Sequence, residues 1–97
     1  MPLQANQRDE VYSVYILECS DGSYYTGLAK DVAARLARHN AGKGARYTRG
    51  RGPCKVLATL DHLTIGLALR IERSIKQAPR SCKLAKLAEF LSMLNSM

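Results

Sequence analysis

Glu72 is the residue least at home among its neighbours. Drawn as a helical wheel, the stretch around it places Glu72 inside an arc of Ile65, Ala68, Leu69, Ile71 and Ile75, with Arg70, Arg73 and Ser74 on the other side. A carboxylate on an apolar arc costs free energy unless a cation or a metal ion pairs with it. The plain reading is a salt bridge to a nearby Arg, or a place at the edge of the buried stripe. Arg35 and His39 stand four residues apart and so share one helix face. As a cationic pair they suit phosphate chemistry: guanidinium can hold two phosphate oxygens, and imidazole exchanges a proton near neutral pH. A solvated helix face is the alternative. Tyr12, Tyr15, Tyr24 and Tyr25 crowd into one short region, where core packing is the default role. A phenol serves as a general base only if neighbouring cations or a metal lower its pKa from about 10.

The run from Gly42 to Gly52 carries the cations Lys43, Arg46, Arg49 and Arg51, interleaved with glycines and with Tyr47. Glycines let backbone N–H groups approach phosphate, and Tyr47 can stack on a base. The run contains no Gly-Lys-Ser/Thr, so it is not a P-loop. Its density of cations favours contact with a polyanion over service as a solubilising loop.

Elements must position these residues. Val11 to Glu18 reads as a β-strand, Asp21-Gly22 as a tight hairpin turn, and Tyr24 to Ala29 as the returning strand. Asp31 can cap a helix that Gly42 ends. The stretch Gly42 to Pro53 is expected to hold no regular structure. Lys55 to Leu60 reads as a third strand, and Thr64 to Gln77 as a helix stopped by Pro79. Ser81 can cap a final helix, along which Leu84, Leu87, Ala88, Leu91 and Leu94 follow the helical period. The order predicts an α+β domain: a small three-stranded antiparallel sheet flanked by about three helices. Residues 1–10 read as a flexible leader, and 11–97 as a single domain.

Composition narrows the partners. The 97 residues carry 15 Lys and Arg against 8 Asp and Glu, a formal charge of +7. Such a field concentrates polyanions, nucleic acid first and an anionic membrane surface second. No apolar run approaches the ~20 residues that cross a bilayer, and Met1 to Glu10 lacks the apolar core of a secretory signal. A cytoplasmic location is therefore expected. Cys19, Cys54 and Cys82 stand far apart and are odd in number, which predicts reduced thiols and argues against a structural zinc site.

Taken in order, these features resemble the GIY-YIG nuclease family, in its small stand-alone single-domain branch. Ser13-Val14-Tyr15 stands where the family's first triplet is expected, and Tyr25-Thr26-Gly27 where the second is. Arg35 and His39 follow on the next helix and Glu72 on the one after. The Arg-Leu-x-x-His-Asn helix and the Gly-Lys-Gly-Ala loop also look like those of the small members. The resemblance implies that Glu72 is the protein ligand of a divalent cation, Mg²⁺ or Mn²⁺. It implies further that Tyr15 or Tyr25 activates or orients the attacking water, that Arg35 stabilises charge on the phosphate, and that His39 transfers protons or binds phosphate. Lys43, Arg46, Tyr47, Arg49 and Arg51 would bind nucleic acid. The activity implied is metal-dependent endonucleolytic hydrolysis of DNA, in repair or recombination, with RNA the other candidate substrate.

Two departures from the family pattern motivate a second reading. Leu28 replaces the lysine that several members carry after the second triplet's glycine, and Gln77 to Lys83 contains no asparagine. That second reading is a nucleic-acid-binding module without effective catalysis. A third is an adaptor whose last helix docks a partner, although covering its own sheet is the better use of that helix and a monomer is favoured. The separate DNA-binding domain of larger relatives is missing from the sequence, so low or borrowed sequence specificity is expected.

Overall fold

A computed structural model of the protein describes residues 10–96. The leader expected over 1–10 therefore lies almost wholly outside the described residues. The elements run β1 (Tyr12–Glu18), β2 (Tyr24–Ala29), α1 (Val32–Asn40), β3 (Lys55–Leu63), α2 (Ile65–Gln77) and α3 (Arg80–Asn95). The sheet is antiparallel with β1 central, in the order β2-β1-β3. This is the α+β architecture expected from the sequence.

Alternation along β1 sets up two cores. Val14 and Ile16 face Leu60, Leu63, Ala68, Ile71, Ile75 and Leu87, which makes α2 and α3 one layer. Tyr15 and Leu17 face Ala29, Cys19 and Cys54, with Tyr25, Val32, Leu36 and Val56 around them, which makes α1 the other. Because side chains alternate with a period of two, a one-residue slip of β1 would exchange these two sets.

Several boundaries depart from the sequence reading. β3 runs on through Leu63, beyond the expected end at Leu60. Register shifts between Tyr12 and Val14, and again between Ile16 and Leu17, each leave an extra residue on β3. His62 sits at the first with a φ of 64°. Such bulges break the alternation by which a strand is recognised. The stretch Gly42 to Pro53 is not wholly irregular, since Arg46–Thr48 forms one 3₁₀ turn. The last helix begins at Arg80 rather than after a Ser81 cap. Pro79 precedes it, and the Pro79 carbonyl accepts from Cys82 N–H.

The apolar arcs are narrower than the wheels suggest. On α2 only Ala68, Ile71 and Ile75 are buried, while Ile65 and Leu69 stand outside, Leu69 being 49% exposed. Glu72 lies at the edge of this stripe. On α3 Leu87 is buried with Phe90 and Leu94 packed beside it, but Leu84 and Leu91 are exposed. A three-stranded sheet is too small to cover a wider stripe on either helix.

Caps close the helices. Asp31 accepts from Ala34 N–H at 3.0 Å and Thr64 from Leu67 N–H at 3.3 Å. Lys83 Nζ donates to the Ile75 and Lys76 carbonyls at 2.9 and 3.1 Å, satisfying the end of α2. Among the described residues no helix is long and apolar enough to cross a membrane. If the narrow arc is right, Ile71→Ala should cost about 2–5 kcal/mol in urea unfolding. Leu69→Ala, on the same helix, should stay within about 0.5 kcal/mol of wild type.

Candidate active site

Tyr15 is fully buried at the middle of β1, directly opposite Gly27 of β2. Its Oη lies 3.0 Å from His39 Nε2 on α1. The other ring nitrogen, Nδ1, is 2.7 Å from Thr48 Oγ1, and Thr48 Oγ1 donates to the Ala45 carbonyl at 2.9 Å. A hydroxyl has one proton to give, so Thr48 accepts from His39 Nδ1–H and Nε2 is left to accept from Tyr15. Ala45 N–H approaches the same Nδ1 at 3.4 Å, too far to outweigh the 2.7 Å contact. The result is a directed chain from Tyr15 O–H through His39 and Thr48 to the Ala45 carbonyl.

Two glycines leave room for it. A Cβ at Gly27 would sit 2.5 Å from Tyr15 Cζ and closer still to Oη, and 2.9 Å from Tyr25 Cε2. A Cβ at Gly44 would sit 2.8 Å from His39 Cγ and closer still to Nδ1. Neither is placed by a positive φ; each is required because a ring lies against its Cα. Gly42, by contrast, has a φ of 76° just past the end of α1, where an L side chain would be strained.

Burial governs the protonation states. It pushes the Tyr15 phenol up to about 12, with the nearby Tyr25 adding to the rise. The Arg35 cation pulls it down and the Glu72 carboxylate pushes it up by less, so both charges act at this phenol. Burial, and then Arg35, lower His39 below its usual range. His39 is therefore neutral at pH 7. It is 1% exposed, which replaces the expected cationic Arg35–His39 pair with one exposed cation and one buried neutral base.

Aromatic rings continue outward from the chain. Tyr25 lies 5.1 Å from the His39 ring and 6.1 Å from Tyr47, the latter stacked at 28°. Arg51 covers the outer face of Tyr47 at 4.3 Å and holds Asp21 Oδ2 at 2.5 Å. Beside Arg35 a cavity of about 450 Å³ is lined also by Arg38, Lys43, Gly44 and Ala45.

A model of the GIY-YIG catalytic domain matches residues 11–86. The chain belongs to the GIY-YIG family. It is 49% identical to the UPF0213 protein VNG_2274C of Halobacterium salinarum, over 75% of this chain and 95% of that protein. It is 50% identical to the UPF0213 protein OB0043 of Oceanobacillus iheyensis, over 84% and 94%. Among solved structures it resembles the UPF0213 protein BH0048 of Bacillus halodurans, at 45% identity and a TM-score of 0.51, covering 80% and 83% of the two chains. It also resembles the protein EF2693 of E. faecalis, at 34% and 0.58, covering 82% and 85%.

Of the residues picked out in the sequence, the fold gathers Tyr15, Tyr25, His39 and Tyr47, with Arg35 near them. Glu72 stands on α2, whose buried residues belong to the other core, and its carboxylate charge is felt at Tyr15. Its ion partner is Lys76 Nζ at 3.4 Å rather than an Arg. Lys43, Arg46 and Arg49 are exposed, whereas Arg51 is engaged by Asp21 and Tyr47. Lys30, the first lysine after the second triplet, pairs with Glu10 and lies over Tyr12. Leu28 packs into the α2 layer. Thr48 and Arg38 escaped the sequence reading. Thr48 carries no periodic signal, and Arg38 reads as one more solvated cation. Thr26 Oγ1, in the second triplet, is buried without a hydrogen-bond partner among the described residues.

Gly27→Ala should destabilise the fold by about 1–3 kcal/mol as Tyr15 is displaced. Gly66→Ala, where a Cβ meets nothing within 4 Å, should stabilise it by about 0.4–1 kcal/mol. Because the folded pKa of His39 lies below that of the unfolded chain, the unfolded state binds the extra proton first. Its contribution is complete above about pH 6.5 and is lost as pH falls from there through the folded value. Urea melts from pH 7.5 to 5 should show this loss, and His39→Gln should reduce the slope.

Proposed function

We propose that this GIY-YIG domain is a divalent-metal-dependent endonuclease that hydrolyses phosphodiester bonds in DNA. The observation that carries this reading is the directed chain Tyr15–His39–Thr48, held beside the exposed Arg35. A proton leaving the attacking water has a route. Tyr15 accepts it as it passes its own to His39 Nε2, which burial keeps neutral and ready. A phenol raised to about 12 is a poor base alone, so this hand-over is what makes it useful. Tyr25, half-buried between His39 and Tyr47, orients the water or the substrate. Arg35 supports the negative charge that grows on the phosphate.

The donor set suits a lightly held ion. Among the described residues no three His, Cys, Asp or Glu side chains come together as a metal cage. Glu72 offers a single carboxylate whose ion pair to Lys76, at 3.4 Å, is loose enough to yield. Mg²⁺ accepts few protein ligands and keeps most of its waters, and Mn²⁺ can replace it. When bound, such an ion supplies charge stabilisation at the leaving oxygen. Lys43, Arg46 and Arg49, with the exposed edge of Tyr47, carry the nucleic acid; Arg51 shapes that surface by holding Tyr47 in place. Branched or damaged DNA in repair or recombination is the substrate class that fits a domain with little sequence readout, acting as a monomer in the cytoplasm.

A second reading rests on one observation. Leu28 is turned into the core and Lys30 is tied to Glu10, so no lysine stands beside the second triplet. The domain would then bind nucleic acid without cutting it.

Incubated with supercoiled plasmid or branched DNA and Mg²⁺ or Mn²⁺, the protein should nick. Folded Glu72→Ala and Arg35→Ala should each lose about 100-fold or more in rate. If both cut at the wild-type rate, the assigned site is wrong. Salt-sensitive binding without cleavage by well-folded wild type would favour the second reading. Neutralising Lys43, Arg46 and Arg49 together should flatten the salt dependence of DNA binding by about two to three units of log–log slope. Neutralising Arg51 should instead cost stability.

A further inference from the structure

The cysteines scattered in the sequence are not all apart in space. Glu18 faces Lys55 at the end of the β1–β3 ladder, so the next residues along, Cys19 and Cys54, face each other. Their Sγ atoms are 3.5 Å apart, and the residues are 3% and 5% exposed. Neither backbone N–H serves the other residue: Cys19 N–H donates to the Ser23 carbonyl at 2.8 Å and Cys54 N–H to Asn40 Oδ1 at 2.7 Å. They form a non-hydrogen-bonded antiparallel pair, the kind whose Cα atoms stand about 4.5 Å apart, within the ~4.4–6.8 Å that a disulfide spans. A cavity of about 380 Å³ is lined in part by both cysteines, together with Ser20, Gly22 and Pro53, and admits a small oxidant. Cys82 is exposed on α3.

We propose that Cys19 and Cys54 are a reversible redox pair whose disulfide fastens the end of the basic loop to the hairpin tip. The loop between Ala41 and Cys54 is now held without covalent ties. His39 grips Thr48, and Asn40 grips Cys54 on both sides, accepting from its N–H and donating to its carbonyl at 3.1 Å. A bond at Cys54 makes the last of these anchors permanent while leaving the strand register as it is. It restrains the unfolded chain across residues 20–53.

The chemistry needs a two-electron oxidant, hydrogen peroxide or a disulfide. Cys54 Sγ–H donates to Cys19 Sγ, and burial pushes the Cys54 thiol up to about 11, so Cys54 keeps its proton and Cys19 reacts first. With peroxide, the Cys19 sulfur takes one oxygen as the O–O bond breaks, giving a sulfenic acid and one water. Cys54 then attacks that sulfur, the S–O bond breaks, and the S–S bond forms as a second water leaves. Two thiols lose two electrons and two protons, and peroxide is reduced to two waters.

The test uses the full chain carrying Cys82→Ser, treated under native conditions with hydrogen peroxide or glutathione disulfide. The expected product is a monomer lighter by about 2 Da, melting about 5–15 °C higher, and restored by dithiothreitol. Trypsin should cut at Lys43, Arg46 and Arg49 several-fold more slowly in the oxidised form. Adding Cys54→Ala must abolish the mass change, a readout that holds even if that variant is less stable. Thiols that stay free, a bond that forms only in denaturant, or oxidation without change in melting or proteolysis would each overturn the proposal. None of these readouts depends on nuclease activity.

Discussion

The hydrogen bond from Tyr15 to His39 joins three parts of the chain that have no local reason to meet. It requires β1 and β2 to pair so that the residue opposite Tyr15 has no Cβ, which Gly27 satisfies. It requires α1 to deliver His39 beneath the sheet, and Gly44 to leave the imidazole room. It requires the basic loop to turn back so that Thr48 receives the second ring nitrogen. A buried phenol or imidazole left unpartnered costs about 1–3 kcal/mol, so each part is stable only if the others are in place. Hairpin register, helix position and loop path are one constraint.

That constraint also sorts the charges. The inner chain is neutral throughout, since burial disfavours both the phenolate and the imidazolium. Charge is kept at the rim, with Arg35, Arg38 and Lys43 around one cavity and Arg46 and Arg49 on the loop beyond it. Arg51 is an exception that serves structure, tying Tyr47 to the hairpin through Asp21. On the proposed function, a neutral interior behind a cationic rim divides the work: the rim would attract the anion, and the interior would handle the proton without competing for it.

The sheet's small size explains why two amphipathic helices stay partly uncovered. With three strands it can bury Ala68, Ile71 and Ile75 of α2 and Leu87 of α3, but not the flanking Ile65, Leu69, Leu84 and Leu91. The same limit leaves Glu72 at the edge of its stripe, where a carboxylate is tolerable with only a loose lysine partner.

The sequence by itself determined the elements and their order. Strand composition, the Asp21-Gly22 turn, the Asp31 cap and Pro79 are local signals, because each acts through the backbone within a few residues. It also determined the cast of candidate residues and, through the ordered triplets, the family. The tertiary structure decided what local signals cannot carry. The bulges that lengthen β3 depend on its partner strand, and the true width of each apolar arc depends on what packs against it. His39 is a buried neutral acceptor rather than a surface cation because β1 and the loop close over it. Thr48 is silent in the sequence because its role exists only once the loop folds back. Cys19 and Cys54 meet for the same reason: residues far apart in the chain become neighbours only when strand register is set, and register belongs to the pair of strands, not to either one.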